Sequence, residues 1–144
     1  MKRNKDNTSV CPKRLILKNE HGQVTLFWTD GDLFENCFVQ AFNSMAESVH
    51  ATAKSKGWWN NKRNDGELIA LIHSELSEAL EALRHGNPPD DKVPQFTGAE
   101  AELADVVIRI MDMAQARGWR VAEAIEHKAN FNKTRAKMHG GKKF

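Results

Sequence analysis

An all-α fold of four helices is what this sequence predicts, and three observations carry the expectation. Apolar residues from Phe34 onward recur at helical spacing. A short polar residue stands three places before a glutamate at Asp32/Glu35, Asn64/Glu67 and Thr97/Glu100, the reciprocal arrangement that satisfies the free N–H groups at a helix start. Gly57, Gly86 and Gly118 then stand where those helices should stop, because glycine enters the left-handed backbone region without a steric cost. A chain of 144 residues is long enough to bury one real core and is most simply one domain.

In the first helix, Asp32 to about Lys56, the apolar positions are Phe34, Phe38, Phe42, Met45 and Val49. Residues 58–63, Trp-Trp-Asn-Asn-Lys-Arg, form a connection. A second helix runs from Asp65 to about His85. Pro88, Pro89 and Pro94 cannot continue it, since proline lacks the donor and clashes with the preceding turn. The third runs from its cap at Thr97 to about Arg117. The fourth, from Val121 to about Lys133, turns Val121, Ala124, Ile125, Ala129 and Phe131 inward. Ahead of this body, residues 1–36 form an N-terminal extension in which Leu15–Leu17 and Val24–Trp28 read as a short β-hairpin with Gly22 in the turn. The chain shows no internal repeat beyond a weak echo between the second and third helices.

The net charge of +2 conceals a division. Residues 1–14 hold five Lys/Arg and one acid, and residues 127–144 hold six Lys/Arg and no acid, so the body between them is acidic. Basic ends could attract phosphate or merely solubilise the chain. No apolar run approaches a membrane span, and the charged N-terminus lacks the apolar stretch of a secretory signal. Cys11 and Cys37 make no Cys-x-x-Cys pair and read as free thiols in a reducing compartment, which points to the cytoplasm.

Chemistry concentrates in two short acidic clusters. Glu75 and Glu78 stand three apart on the second helix, and Glu102 and Asp105 three apart on the third. Carboxylates at that spacing share a helix face. At about 100° of turn per residue, Glu75 falls among Leu68, Leu71, Ala79 and Ala82, and Glu102 beside Val106, Ile110 and Met113. Both therefore lie within apolar stripes, where a lone ionised carboxylate shifts its pKa or recruits a cation. The bland alternative is pairing one turn along the same helix. It fails at Glu75, Glu78 and Glu102, whose i+4 neighbours are Ala79, Ala82 and Val106, and holds only for Asp105, which has Arg109 there. A diiron bundle would want Glu-x-x-His, but the partners at three-residue spacing are Glu and Asp. His73 lies on roughly the face opposite Glu75, a poor place for a ligand and the mark of a boundary or surface histidine. An all-oxygen ligand set favours Mg²⁺ or Mn²⁺.

These acids, in order, resemble the paired motif of the MazG-like all-α nucleotide pyrophosphohydrolases. The likeness extends through Lys56-Gly57-Trp58-Trp59, Leu71 to Ala79, Ala82 to Gly86, Glu102 to Arg109, and Lys128…Phe131-Asn132-Lys133-Thr134-Arg135 followed by His139-Gly140-Gly141-Lys142. It covers residues 37–144 and nothing of 1–36. The resemblance implies a MazG-like domain in a homodimer or homotetramer, with the site in or near the interface. It implies that Glu75, Glu78, Glu102 and Asp105 hold Mg²⁺ around a nucleoside triphosphate, cleaved to monophosphate and pyrophosphate. It also implies that Lys128, Asn132 and Arg135 contact phosphates. An acid of such a site, Glu75 or Glu78, orients the attacking water or accepts its proton. Of the two tryptophans one can stack on a base, Trp59 being the choice here, and the other anchors the loop. Residues 139–142 could close over the phosphates or form an inert tail.

The expected function is hydrolysis of NTP or dNTP for nucleotide-pool house-cleaning. The alternative is a non-catalytic nucleotide-sensing or partner-binding protein of the same fold. A nucleic-acid-binding role through the basic ends would weaken steeply with salt, and the acidic body argues against a stable complex of that kind.

Overall fold

The computed structural model describes residues 16–18, 24–26 and 31–135, with side chains from residue 37 onward. Four helices make up the body: α1 (Gly31–Ser55), α2 (Asp65–Arg84), α3 (Gly98–Arg117) and α4 (Val121–Thr134). Two short strands, β1 (Ile16–Lys18) and β2 (Val24–Leu26), pair antiparallel with Ile16 opposite Leu26. The expected turn at Gly22 lies outside the described residues, as do the Asp32/Glu35 side chains and the segment 139–142. No helix among the described residues is long and apolar enough to cross a membrane.

The helix ends follow the local chemistry. At the start of α2 the Asn64 side chain accepts from the Gly66 N–H at 2.7 Å. At the start of α3 the Thr97 side chain accepts from the Glu100 N–H while Glu100 accepts from the Thr97 N–H, a complete capping box. Gly57, Gly86 and Gly118 all take positive φ just past α1, α2 and α3. Between α2 and α3, Asn87 also takes a positive φ of 52°, and its side chain accepts from the Ala99 N–H at 2.9 Å. That carboxamide links the end of α2 to the first turn of α3.

Helix α3 is the centre of the molecule. It packs against both α1 and α2, while α4 packs against α1. The core is made of small and medium side chains: Ala46, Leu68, Ala79, Ala99, Val106, Met113, Ala114 and Ala122. Alanines let helix backbones approach closely, and Gly98 sits at one such close approach. A Cβ there would lie 3.1 Å from the Ala82 methyl. At the opposite end of the same seam, Arg117 bonds Asp65 at 2.6 Å and donates to the Arg63 carbonyl at 2.8 Å. The antiparallel pair α2–α3 is thus pinned at both ends.

Two expectations are corrected here. Only Ala122 of α4 is buried, whereas Ile125 and Phe131 are exposed, as are Ala124 and Ala129. The packing of α4 against α1 leaves these side chains uncovered. Second, Cys37 is disulfide-bonded. The expectation of free thiols fails, and with it the argument from thiols to a reducing compartment.

Candidate metal centre and adjoining cavity

Because α2 and α3 are clamped at both ends, the residues at mid-seam have fixed neighbours. Glu75 and Glu78 from α2 meet Glu102 from α3 there, with one carboxylate oxygen of each lying within 4.8 Å of the others. Glu75 is 5% exposed and is the one charged residue buried among the described residues. Burial raises the Glu102 pKa, helped by a hydrogen bond with Glu75 and by the charges of Glu78, Glu75 and Asp105. Three carboxyl groups this close repel when ionised, so either a proton or a cation must relieve them. The donors are all oxygen, a set that fits a hard divalent ion such as Mg²⁺ and can equally hold Mn²⁺.

Asp105 stands apart from this triad. It lines a neighbouring cavity of about 410 Å³, and its charge still acts on Glu102. The structure therefore brings three of the four expected ligands together and sets the fourth on the cavity wall.

Glu75 also has a partner that helical spacing alone did not reveal. Arg109 reaches across the seam, donates to Glu75 Oε1 from Nε at 2.7 Å and forms an ion pair with it, a terminal nitrogen lying 2.5 Å from the same oxygen. Spacing suggested that Arg109 would serve Asp105 one turn away on α3. The inter-helix bond wins because Glu75 is buried and an unpaired buried carboxylate costs far more than an exposed one.

The cavity lies between α1, α2 and α3. Its wall combines apolar groups such as Leu71 and Ile108 with Asp105, Arg109, Asp112 and Trp58. Trp58, 48% exposed, has the Arg63 guanidinium 5.3 Å and the Arg109 guanidinium 5.6 Å from its ring centroid. Arg63 is itself ion-paired to Glu67. A second hollow that Trp58 also lines is edged by Lys56, Lys62 and Arg63.

Trp59 has a different surrounding from the one expected of a base-stacking ring. Its indole N–H donates to both oxygens of Asp112, at 2.9 and 3.1 Å. The His50 ring meets it edge-on at 5.2 Å and also bonds Asp112 at 2.6 Å. Arg117 covers a face at 5.5 Å. Trp59 is thus held in a network joining α1, the loop and α3, while Trp58 lines the cavity. Adjacent residues point apart, which explains the division, but spacing carried no signal as to which ring would take which place.

The basic set on α4 is not brought to the triad. Lys128, Asn132 and Arg135 are exposed. Among the described residues none of them lines the cavity or bonds a triad member. Lys128 lies 5.7 Å from the Phe131 ring on its own helix. Helix α4 ends at Thr134, and Arg135 is already extended with φ −71° and ψ 143°, so it does not continue the face of Lys128 and Asn132. His73, as expected of a surface histidine, is exposed.

No protein-family model, curated protein or solved structure matches this chain.

Proposed function

We propose that the protein is a Mg²⁺-dependent nucleoside triphosphate pyrophosphohydrolase acting on NTP or dNTP. The observation that carries this reading is the convergence of Glu75, Glu78 and Glu102 beside a cavity walled by Trp58, Asp105 and Arg109. An oxygen-only triad next to a hollow with one aromatic face and several cationic groups suits a ligand that is part flat ring and part polyanion. In support, the acidic motifs resemble those of the MazG-like pyrophosphohydrolases.

In this reading Glu75, Glu78 and Glu102 hold the ion, with Asp105 within electrostatic reach of Glu102. When bound, Mg²⁺ or Mn²⁺ supplies phosphate neutralisation and a water of lowered pKa. Trp58 offers its face to the base. The oxygen of water joins the α-phosphorus, the α–β anhydride bond breaks, and pyrophosphate leaves with the bridging oxygen. In this reading Glu78, the exposed member of the triad, takes the proton from that water. Glu75 is held by Arg109 and serves as a ligand.

The reading includes a homodimer or homotetramer. Ile69, Leu76, Leu80 and Leu83 of α2, with Leu103 and Val107 of α3, leave large apolar side chains in solvent. A second copy would cover them and supplies a route for the basic residues of α4 to reach a neighbouring site.

The test is pyrophosphate release from a panel of standard and modified NTPs and dNTPs with Mg²⁺, repeated after EDTA. Release that depends on the ion and on Glu102 supports the reading; no release from any nucleotide refutes it as an enzyme. A second reading, a nucleotide sensor that binds without cleavage, is favoured by the Arg109–Glu75 pair, which engages one ligand oxygen. Nucleotide binding with no pyrophosphate would select it.

A further inference from the structure

The triad and the cavity share one residue, and its position has an electrostatic consequence. Arg109 donates its Nε–H to one oxygen of Glu75 and keeps a terminal nitrogen in ion-pair contact with the same oxygen, and a guanidinium has five N–H groups. Its side chain is 30% exposed and lines the cavity beside the Trp58 face. A fixed positive charge therefore lies against the acids that would hold a cation, with donors remaining at the wall where an anion would sit.

We propose that Arg109 is a specificity-determining residue that sets this site to take a divalent cation together with an anionic phosphate ligand, in preference to the bare ion. The inference rests on the proposed nucleotide reading and deepens it by naming what the site discriminates. Toward a cation alone, the guanidinium is a like charge. With water-like screening, appropriate for a partly exposed group, unit charges a few ångströms apart still interact by an amount comparable to thermal energy, and a divalent ion doubles it. Toward a phosphate oxygen the same group is a charge-assisted donor. The two effects have opposite signs, so Arg109 penalises the ion by itself and favours the ion accompanied by its anion. Lys56 and Arg63 lie on the same wall, and Arg63 pairs with Glu67, which is not a member of the triad. The charge of Arg109 is the one bonded directly to a triad member.

The experiment measures Mn²⁺ affinity by calorimetry and by the electron paramagnetic resonance signal of free Mn²⁺. It compares Mn²⁺ alone with inorganic pyrophosphate added at saturating Mn²⁺. Arg109→Gln should bind Mn²⁺ alone about tenfold more tightly and bind pyrophosphate about tenfold more weakly. Arg109→Lys, which keeps the charge, should hold both affinities within about threefold of the parent. Arg109→Met provides a second neutral variant of similar length should the glutamine protein fail to fold. If the neutral variants weaken both affinities, Arg109 merely props up Glu75, and the proposal is overturned. Unchanged affinities, or both becoming tighter, overturn it as well. Failure of the parent protein to bind Mn²⁺ at all would sink the metal-site reading itself, an outcome distinct from any change confined to the variants.

Discussion

The seam between α2 and α3 differs from the outer helix α4 in both charge and packing. The seam buries Leu68, Glu75 and Ala79 from one side and Val106, Met113 and Ala114 from the other. It is clamped by Gly98 against Ala82 at one end and by Arg117 at the other. Helix α4 buries Ala122 alone and is exposed along Lys128, Phe131 and Asn132. Rigid packing is what lets carboxylates be held together against their mutual repulsion. A lightly packed helix can present charge, but cannot set it at a chosen distance. The acids therefore belong to the subunit, whereas the basic set depends on whatever α4 meets next.

The strongest way to break this contrast is to remove an acid from the seam. Glu102→Gln should lower pyrophosphate release by at least about a hundredfold, since losing an ion ligand should exceed the effect of losing its supporting partners. Circular dichroism should show the fold intact, because glutamine keeps the shape and removes a repulsive charge. Near-normal turnover in that variant would remove the proposed metal centre.

Loosening the clamp tests whether packing, rather than the acids themselves, makes the site. Gly98→Val forces a branched side chain onto the Ala82 methyl and should cost about 1–3 kcal/mol in chemical denaturation. Mn²⁺ affinity should fall with it, although no acid has changed. A stable variant with unaltered affinity would show that the seam tolerates wider spacing than its close approach implies.

The α4 side of the comparison is sharpened by Arg135→Ala. If a neighbouring copy brings this residue to a phosphate, kcat/KM should fall about tenfold, equivalent to about 1.4 kcal/mol of transition-state stabilisation. The effect should vanish under dilution that separates the copies, followed by light scattering. Full activity in the assembled variant would leave α4 a solvated basic surface.

The smallest effect concerns the α3 cap, which sets the start of the seam. Thr97 N–H and hydroxyl hold the Glu100 carboxyl below its ordinary pKa of 4.5. A depressed folded value means stability that is present above the unfolded pKa and lost as pH falls through the folded one. Thermal melts from pH 6 downward should therefore show a small loss beginning below about pH 4.5. Glu100→Gln should flatten that part of the curve, and an unchanged acid limb would show that the cap charge contributes nothing.

Much of this protein was determined by the sequence alone. Asn64, Thr97, Gly57, Gly86 and Gly118 place the helix boundaries because capping and left-handed termination act over three or four neighbouring residues. The burial of Glu75 follows from its place in an apolar stripe, for the same local reason. Tertiary structure decided what lies between elements. It gave Arg109 to Glu75 rather than Asp105, separated Asp105 from the triad, and assigned Trp58 to the cavity and Trp59 to Asp112 and His50. It also turned Ile125 and Phe131 outward. Helical periodicity says which residues share a face, but the partner of that face is chosen by the energy of burying charge and by how closely two backbones can approach. Those quantities arise only when α2 meets α3, and no spacing within one helix contains them.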